Sequence, residues 1–202
     1  MPGLETAPAL LILWAVIGYV LGSIPFGMVL ARLMGLGNLR DIGSGNIGAT
    51  NVLRTGNKFA AALTLILDGG KGALAVLLAR AFAGEDAVQL AGLMAFLGHC
   101  YPVWLGFRGG KGVATFLGLL LALAWPVGVA GCLTWLAVAA LSRLSSLAAM
   151  VAAGSSALWM LILGHGAAIV MALVLTGLIL WRHNGNIARI RDGTEPRIGQ
   201  KN

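Results

Sequence analysis

Four stretches of this sequence stay apolar for far longer than the core of a small soluble domain requires: Leu10 to Leu33, Val88 to Phe107, Val113 to Leu141, and Leu147 to Trp181. A helix that crosses the hydrocarbon layer of a bilayer needs about 20 predominantly apolar residues, so each stretch is long enough for a crossing. Charged residues make up 10% of the 202-residue chain and hydrophobic residues 58%. Soluble domains carry about 25% charged residues, and such a fold could not hide this much apolar surface. The sequence therefore predicts an all-α fold, a polytopic integral membrane helix bundle. Met1 to Ala9 contains Glu5, no Lys or Arg, and leads into a full-length span. That is not the pattern of a cleavable leader, and the first span is expected to be retained.

Loops rich in Lys and Arg face the cytoplasm, which orders the spans. With the N-terminus outside, a first span over Leu10 to Leu33 delivers Arg32, Arg40, Arg54 and Lys58 inside, and a second, Phe59 to Ala83, exits at Glu85 and Asp86. A third, Ala87 to Gly106, returns to Arg108 and Lys111; the long run after it folds as a hairpin turning at Trp125 and Pro126 and comes back to Arg143. Two further helices, Leu147 to Leu163 and Ala167 to Trp181, turn outside near His165 and leave a basic tail from Arg182. The expectation is about seven transmembrane helices with a cytoplasmic C-terminus. Asp68-Gly69-Gly70-Lys71-Gly72 interrupts the second span with two charges. It is either a break facing a wet cavity or an ion pair at helical i,i+3 spacing. Gly18 and Gly22 form a GxxxG suited to close helix packing.

The net charge of +7 is spread between the spans rather than gathered on one soluble module, which argues against nucleic-acid binding. Cys100 and Cys132 lie in apolar stretches without metal-ligand spacing and read as small hydrophobes. Metal catalysis is disfavoured as well, because no carboxylate and His cluster stands out.

Chemistry is concentrated in the loops assigned to the inner face. Gly43-Ser44-Gly45-Asn46-Ile47-Gly48-Ala49-Thr50-Asn51, followed by Arg54, matches GxGxxG formally. A dinucleotide site needs that motif inside a βαβ unit, and membrane helices flank it here. What survives is a glycine-rich loop whose amides approach an oxyanion, with hydroxyls on Ser44 and Thr50 and a bidentate cation in Arg54. A tight interhelical turn is the plainer reading. Phe107-Arg108-Gly109-Gly110-Lys111-Gly112-Val113-Ala114-Thr115 places glycines and a lysine at the start of an apolar helix, where N–H groups are free. Leu105 and Gly112 occupy positions that a Walker A loop gives to Gly and Ser or Thr, so this is a phosphate-holding loop without a nucleotide fold, or simply a positive anchor at the inner face. Ser145, Ser146, His183, Asn186, Arg189 and Glu195 fall on the same side. His99 is read as a packed imidazole in preference to a site wall, and His165 lies on the opposite face.

With these motifs together the chain resembles the acyl-phosphate-dependent glycerol-3-phosphate acyltransferases of bacteria, the PlsY family. The match also takes in Asp68 with Gly69-Gly70-Lys71-Gly72, Gly98-His99 with Tyr101-Pro102-Val103, Ser145-Ser146-Leu147, His183-Asn184-Gly185-Asn186-Ile187-Ala188-Arg189, and Gly193-Thr194-Glu195. It runs nearly end to end, which implies a single membrane-embedded acyltransferase domain over residues 1–202. The resemblance implies transfer of a fatty acyl group from acyl phosphate to the 1-hydroxyl of glycerol 3-phosphate in the bacterial cytoplasmic membrane, with the active site facing the cytoplasm. No cofactor, metal, nucleic acid or obligate protein partner is implied, only the two substrates and membrane lipid. Expected substrate-binding residues are Ser44, Asn46, Gly48, Thr50 and Arg54 in the first loop. In the second they are Gly109, Gly110, Gly112 and Thr115, whose amides and hydroxyl would receive acyl phosphate, or glycerol 3-phosphate if the two loops exchange substrates, and elsewhere Ser145 and Ser146. Lys111, His183 and Asn186 are the expected catalytic groups. The His-x4-Asp signature of soluble-domain glycerolipid acyltransferases is absent, since Trp104, Val170 and Ala188 stand five residues after the three histidines. A transporter for a phosphorylated metabolite is the main rival, and it would line both faces with polar residues. The outer side offers little beyond Arg80, Glu85, Asp86 and His165.

Overall fold

A computed structural model describes residues 2–200, and these form helices and turns with no strand among them. The first expected span is present but broken. Helix α1 covers Pro8–Ser23 and α2 covers Phe26–Leu33; between them Pro25 lacks the N–H that would continue the ladder. A short helix α3, Ala49–Leu53, sits in the loop after α2, and α4 runs unbroken over Lys58–Phe82. The sequence left a break and an ion pair open for Asp68 to Lys71, and the structure contains the pair. Lys71 Nζ donates to Asp68 Oδ1 at 2.7 Å and to the Ile24 carbonyl, at the α1–α2 break, also at 2.7 Å. Both side chains are buried, so each charge meets its partner inside the bundle rather than lipid.

Helix α5 spans Glu85–Cys100, α6 Val113–Leu123, α7 Trp125–Ser142, α8 Ser145–Ile162 and α9 Ile169–Arg182, and α10, Asn184–Arg191, bends away from α9 by 61°. The expected hairpin turn at Trp125 and Pro126 is there, with Pro126 in the first turn of α7, where its missing N–H is tolerated. The expected count of about seven takes in helices shorter than a full crossing. Five helical segments are long and apolar enough to cross, or six if α9 and α10 are taken as one bent span. Helix α6 has only 11 residues and at 1.5 Å per residue is roughly 16 Å long, well short of the ~30 Å hydrocarbon layer.

One end of α6 is tied to the last turn of α4, because Arg80 donates to the carbonyls of Ala122 and Leu123. Close packing fixes this arrangement. A Cβ at Gly18 or Gly22 would overlap the carbonyl oxygens of Ala91 or Ala95 on α5, and one at Gly118 would overlap the Gly69 carbonyl on α4. The GxxxG in α1 is thus a packing device. The core joins Val76, Phe96, Phe116, Leu119, Leu120, Met160, Leu175 and Ile179 from five helices. Ile12, Phe59, Phe82, Leu133 and Leu141 are exposed, as a surface solvated by lipid tails requires.

Antiparallel helices send the loops to two ends. Residues 34–57, 101–112, 143–144 and 183–200 lie at one end, and the turns at 83–84, 124 and 163–168 at the other. Cross-links confirm the sorting. Asp86 accepts from the Glu5 and Thr6 amides and the Thr6 hydroxyl at one end, while Lys111 reaches Asn186 and Ser146 reaches Glu195 at the other.

Candidate active site

In the first loop, Gly43 and Gly45 take positive φ angles of 52° and 65°, which glycine adopts without strain. The reversal is held by Asn51, which is buried and uses both ends of its amide. Its Nδ2 donates to the carbonyls of Leu39 and Asn46 at 2.9 and 2.7 Å, and its Oδ1 accepts from the Ser44 amide at 3.1 Å and from Arg54 Nη1 at 3.3 Å. Asn51 therefore aims Ser44 and Arg54 without being free for a ligand. Asn46 Oδ1 is taken by the Ile47 amide at 2.7 Å. Ser44 and Thr50 are exposed, and Gly48 caps α3.

The second loop departs from expectation. The Gly109 amide donates to the Cys100 carbonyl and the Gly110 amide to the His99 carbonyl, both at 3.0 Å. These two amides satisfy the end of α5 and are not donors for a phosphate. Thr115 is fully buried and its hydroxyl donates to the Asp68 carbonyl at 2.9 Å, so it ties α6 to α4 rather than lining the site. Among the described residues the amides of Lys111 and Gly112 have no backbone acceptor, and Gly112, at φ 81°, opens α6. His99 is neither a plain core residue nor a ligand group. Its Nδ1 lies 3.6 Å from Asp68 Oδ1, and its ring occupies the space into which a Cβ at Gly110 would project.

The third component is the α9–α10 bend and the segment after it. Lys111 Nζ donates to Asn186 Oδ1 at 2.6 Å, and Asn186 Nδ2 donates to Glu195 Oε1 at 2.6 Å. The same carboxylate accepts from the Ser146 hydroxyl at 2.6 Å and, through Oε2, from Arg189 Nε at 2.8 Å. Glu195 is the hub of this end of the molecule, although its own chemistry had not placed it among the site residues. The Gly193-Thr194-Glu195 motif was the signal. Burial opposes its charge, but hydrogen bonds from Ser146, Asn186 and Arg189 outweigh that and hold its pKa below the usual carboxylate range. Ser146 is thereby joined to the cluster, whereas Ser145 opens α8 beside it.

His183 sits at the bend, buried, with Nδ1 2.8 Å from the Ile179 carbonyl. That acceptor requires a proton on Nδ1 and leaves Nε2 with its lone pair. Burial pushes the imidazole down to about 4, so the ring is neutral at physiological pH. Lys111 is brought down to about 8, first by burial, with Glu195 opposing and Arg189, Arg182 and Arg54 adding to the fall. Arg54, in the first loop, is among the charges that lower it, so that loop is near enough to add to the field at Lys111. Arg40 stitches the two loops together by donating to the Gly45 carbonyl at 3.2 Å and to the Arg108 carbonyl. The arrangement is a cationic, hydrogen-bonded cluster whose central carboxylate is already committed, of a kind suited to holding phosphate anions.

A cleft of about 300 Å³ at the opposite end, lined among others by Arg80, Glu85, Gln89 and His165, lies away from these groups. Its guanidinium is already bonded to the end of α6. No group of three or more His, Cys, Asp or Glu with metal-ligand geometry occurs among the described residues.

Comparison with known proteins agrees with this geometry. The family model described as glycerol-3-phosphate acyltransferase matches residues 12–193. The glycerol-3-phosphate acyltransferase of Ruegeria pomeroyi is 70% identical over all of this chain and 99% of its own length. That of Cereibacter sphaeroides strain ATCC 17025 is 67% identical, covering all of this chain and 96% of its own. Two crystal structures of PlsY, an integral membrane glycerol 3-phosphate acyltransferase, are similar throughout. The glycerol 3-phosphate form has a TM-score of 0.88 at 41% identity and covers 94% of this chain and 96% of its own. The lysophosphatidic acid form has 0.85 at 38%, covering 94% and 95%. On the extent of these matches, the chain belongs to the PlsY family of integral membrane glycerol-3-phosphate acyltransferases.

Proposed function

We propose that the chain transfers a fatty acyl group from acyl phosphate to the 1-hydroxyl of glycerol 3-phosphate, at the cytoplasmic face of the bacterial inner membrane, releasing 1-acyl-glycerol 3-phosphate and inorganic phosphate. The observation that carries this reading is the cluster itself. Lys111 and Arg189, from two separate segments, are joined through Asn186 and Glu195, the loop that carries Arg54 lies at the same end of the bundle, and the Glu195 carboxylate is held by three donors. Two substrates that each carry phosphate, one with a tail that remains in the bilayer, fit such a site.

In the proposed reaction Arg54, Lys111 and Ser44 hold glycerol 3-phosphate. The anion of acyl phosphate is received at the amides of Lys111 and Gly112, at the opening of α6, with Ser145 beside them. The 1-hydroxyl oxygen attacks the acyl carbonyl carbon, the bond from that carbon to the phosphate oxygen breaks, and the hydroxyl proton leaves on the phosphate. The bare Nε2 of His183 orients the attacking hydroxyl, and Asn186 fixes Lys111. A neutral imidazole of low basicity suits orientation better than full proton abstraction. The leaving phosphate takes the proton, so catalysis rests on positioning and charge stabilisation.

The test uses purified protein in detergent, with acyl phosphate and glycerol 3-phosphate, and measures released phosphate and acylated product. Acyl-CoA and acyl-carrier protein serve as rival donors. Turnover with acyl phosphate alone is expected; turnover with a thioester while acyl phosphate stays inert would overturn the donor assignment.

A further inference from the structure

We propose that Arg182 is a positioning residue for acyl transfer, a two-pronged clamp that locks the Gly109–Gly110 turn against the α9–α10 bend and so sets the separation of Lys111 from His183. Arg182 Nε donates to the Gly110 carbonyl at 3.1 Å and Nη2 to the Gly109 carbonyl at 3.3 Å. Its guanidinium carbon lies 5.1 Å from the centre of the Tyr101 ring, the carbonyl of Tyr101 being tied in turn to the Tyr19 hydroxyl at 2.7 Å. The amides of the same two glycines are bonded to α5. Every polar backbone atom of Gly109 and Gly110 is therefore paired within the protein, amides on one side and carbonyls on the other.

A turn satisfied in this way has no backbone donor left for a phosphate; it is a fixed seat for the residue that follows it, Lys111. The clamp is next in sequence to His183, so one guanidinium spans the interval between the two groups that the proposed reaction uses. Only a planar fork can reach two adjacent carbonyls while stacking on an aromatic ring, and an ammonium cannot. Nothing else on α9 bonds the turn, and the Lys111 to Asn186 bond alone leaves its backbone free to shift.

This inference rests on the acyl-transfer reading, and the experiment separates the two. Wild type, Arg182→Ala and Arg182→Lys are compared in detergent for kcat and KM toward both substrates, with thermal melting as a check on folding. Misplacement of a catalytic group by about 1 Å lowers rates on the order of 100-fold. Arg182→Ala is expected to lose about that much in kcat while KM for glycerol 3-phosphate changes little. Arg182→Lys should recover only a small part. Added methylguanidinium should raise the kcat of Arg182→Ala, and methylammonium should not.

Wild-type kcat in Arg182→Ala would overturn the clamp, as would a loss confined to KM, which would make Arg182 a ligand for substrate. Equal rescue by methylammonium would overturn it too, because charge without the fork would then suffice. Should Arg182→Ala fail to fold, Arg182→Lys decides alone, and half or more of wild-type kcat in a folded Lys variant counts against the clamp. A wild type inactive with acyl phosphate but active with another donor would defeat the donor assignment, and the Arg182 comparison would then be read with that donor.

Discussion

Lys111 is held where its charge is least comfortable. Burial draws its ammonium down to about 8, Arg182, Arg189 and Arg54 push the same way, and Glu195 pulls it back. A lysine with a lowered value is protonated below it and loses its charge as pH rises through it. KM for glycerol 3-phosphate is therefore expected to climb above about pH 8. Lys111→Arg, charged throughout, should abolish that climb whatever activity it retains, and Lys111→Ala should lower kcat/KM by roughly 100-fold or more. Glu195→Gln sharpens the test. It removes the one opposing charge, so the Lys111 limb should move to lower pH; a limb that stays in place would show that the two groups are not coupled. Chemical type alone was enough to single out Ser44, Arg54, Lys111, His183 and Asn186. It could not show that the Gly109 and Gly110 amides and the Thr115 hydroxyl face inward to α5 and α4, because a donor's partner is a tertiary fact. The roles of Asn51 and Arg182 were hidden for the same reason: Asn51 works within its own loop and Arg182 on two carbonyls far away in the chain, and neither set of bonds can be read from residue type.

Helices in lipid gain little from hydrophobic burial against each other, so small residues that let backbones approach do the packing. Gly22 on α1 and Gly154 on α8 separate this effect from helix propensity. A Cβ at Gly22 would overlap the Ala95 backbone, whereas one at Gly154 meets nothing within 4 Å. Gly22→Val is expected to destabilise the folded protein by about 1–3 kcal/mol, the usual penalty for overpacking, while Gly154→Ala should be neutral or stabilising by up to about 1 kcal/mol. Thermal or denaturant unfolding in one detergent measures both, and equal effects would refute the packing argument. At this scale the sequence was a good guide: apolar runs, Pro126 and the GxxxG were legible, and each maps to an element or a join, whereas the break at Pro25 inside the first span was not read. The turn at Trp125 and Pro126 already bounds α6 on one side and Gly112 on the other, which leaves 11 residues; what the sequence does not show is that Arg80 ties the end of this short helix through the carbonyls of Ala122 and Leu123.

The whole molecule is polarised by charge. Among the described residues Arg80 is the one Lys or Arg at the end that carries Asp86 and His165, whereas Arg40, Arg54, Arg108, Lys111, Arg143, Arg182 and Arg189 gather at the end that carries the site. Positive loops are retained in the cytoplasm, so the site should open inward and the N-terminus should lie outside. Single cysteines at Thr50 and Asn184 on one end, and at Glu85 and Gly166 on the other, report on this, since all four positions are solvent-accessible. Native Cys100 is buried and Cys132 half-buried, which keeps the background low. A membrane-impermeant maleimide is expected to modify the cysteines of Thr50→Cys and Asn184→Cys in inside-out vesicles and to spare them in intact cells, with the reverse for Glu85→Cys and Gly166→Cys. Modification of Thr50→Cys and Asn184→Cys from opposite sides would be fatal to more than the orientation. Arg54 follows Thr50 by one turn of helix, and Asn184 borders His183 and Asn186. A bilayer between them would leave no single cluster in which one cationic site could hold two phosphates.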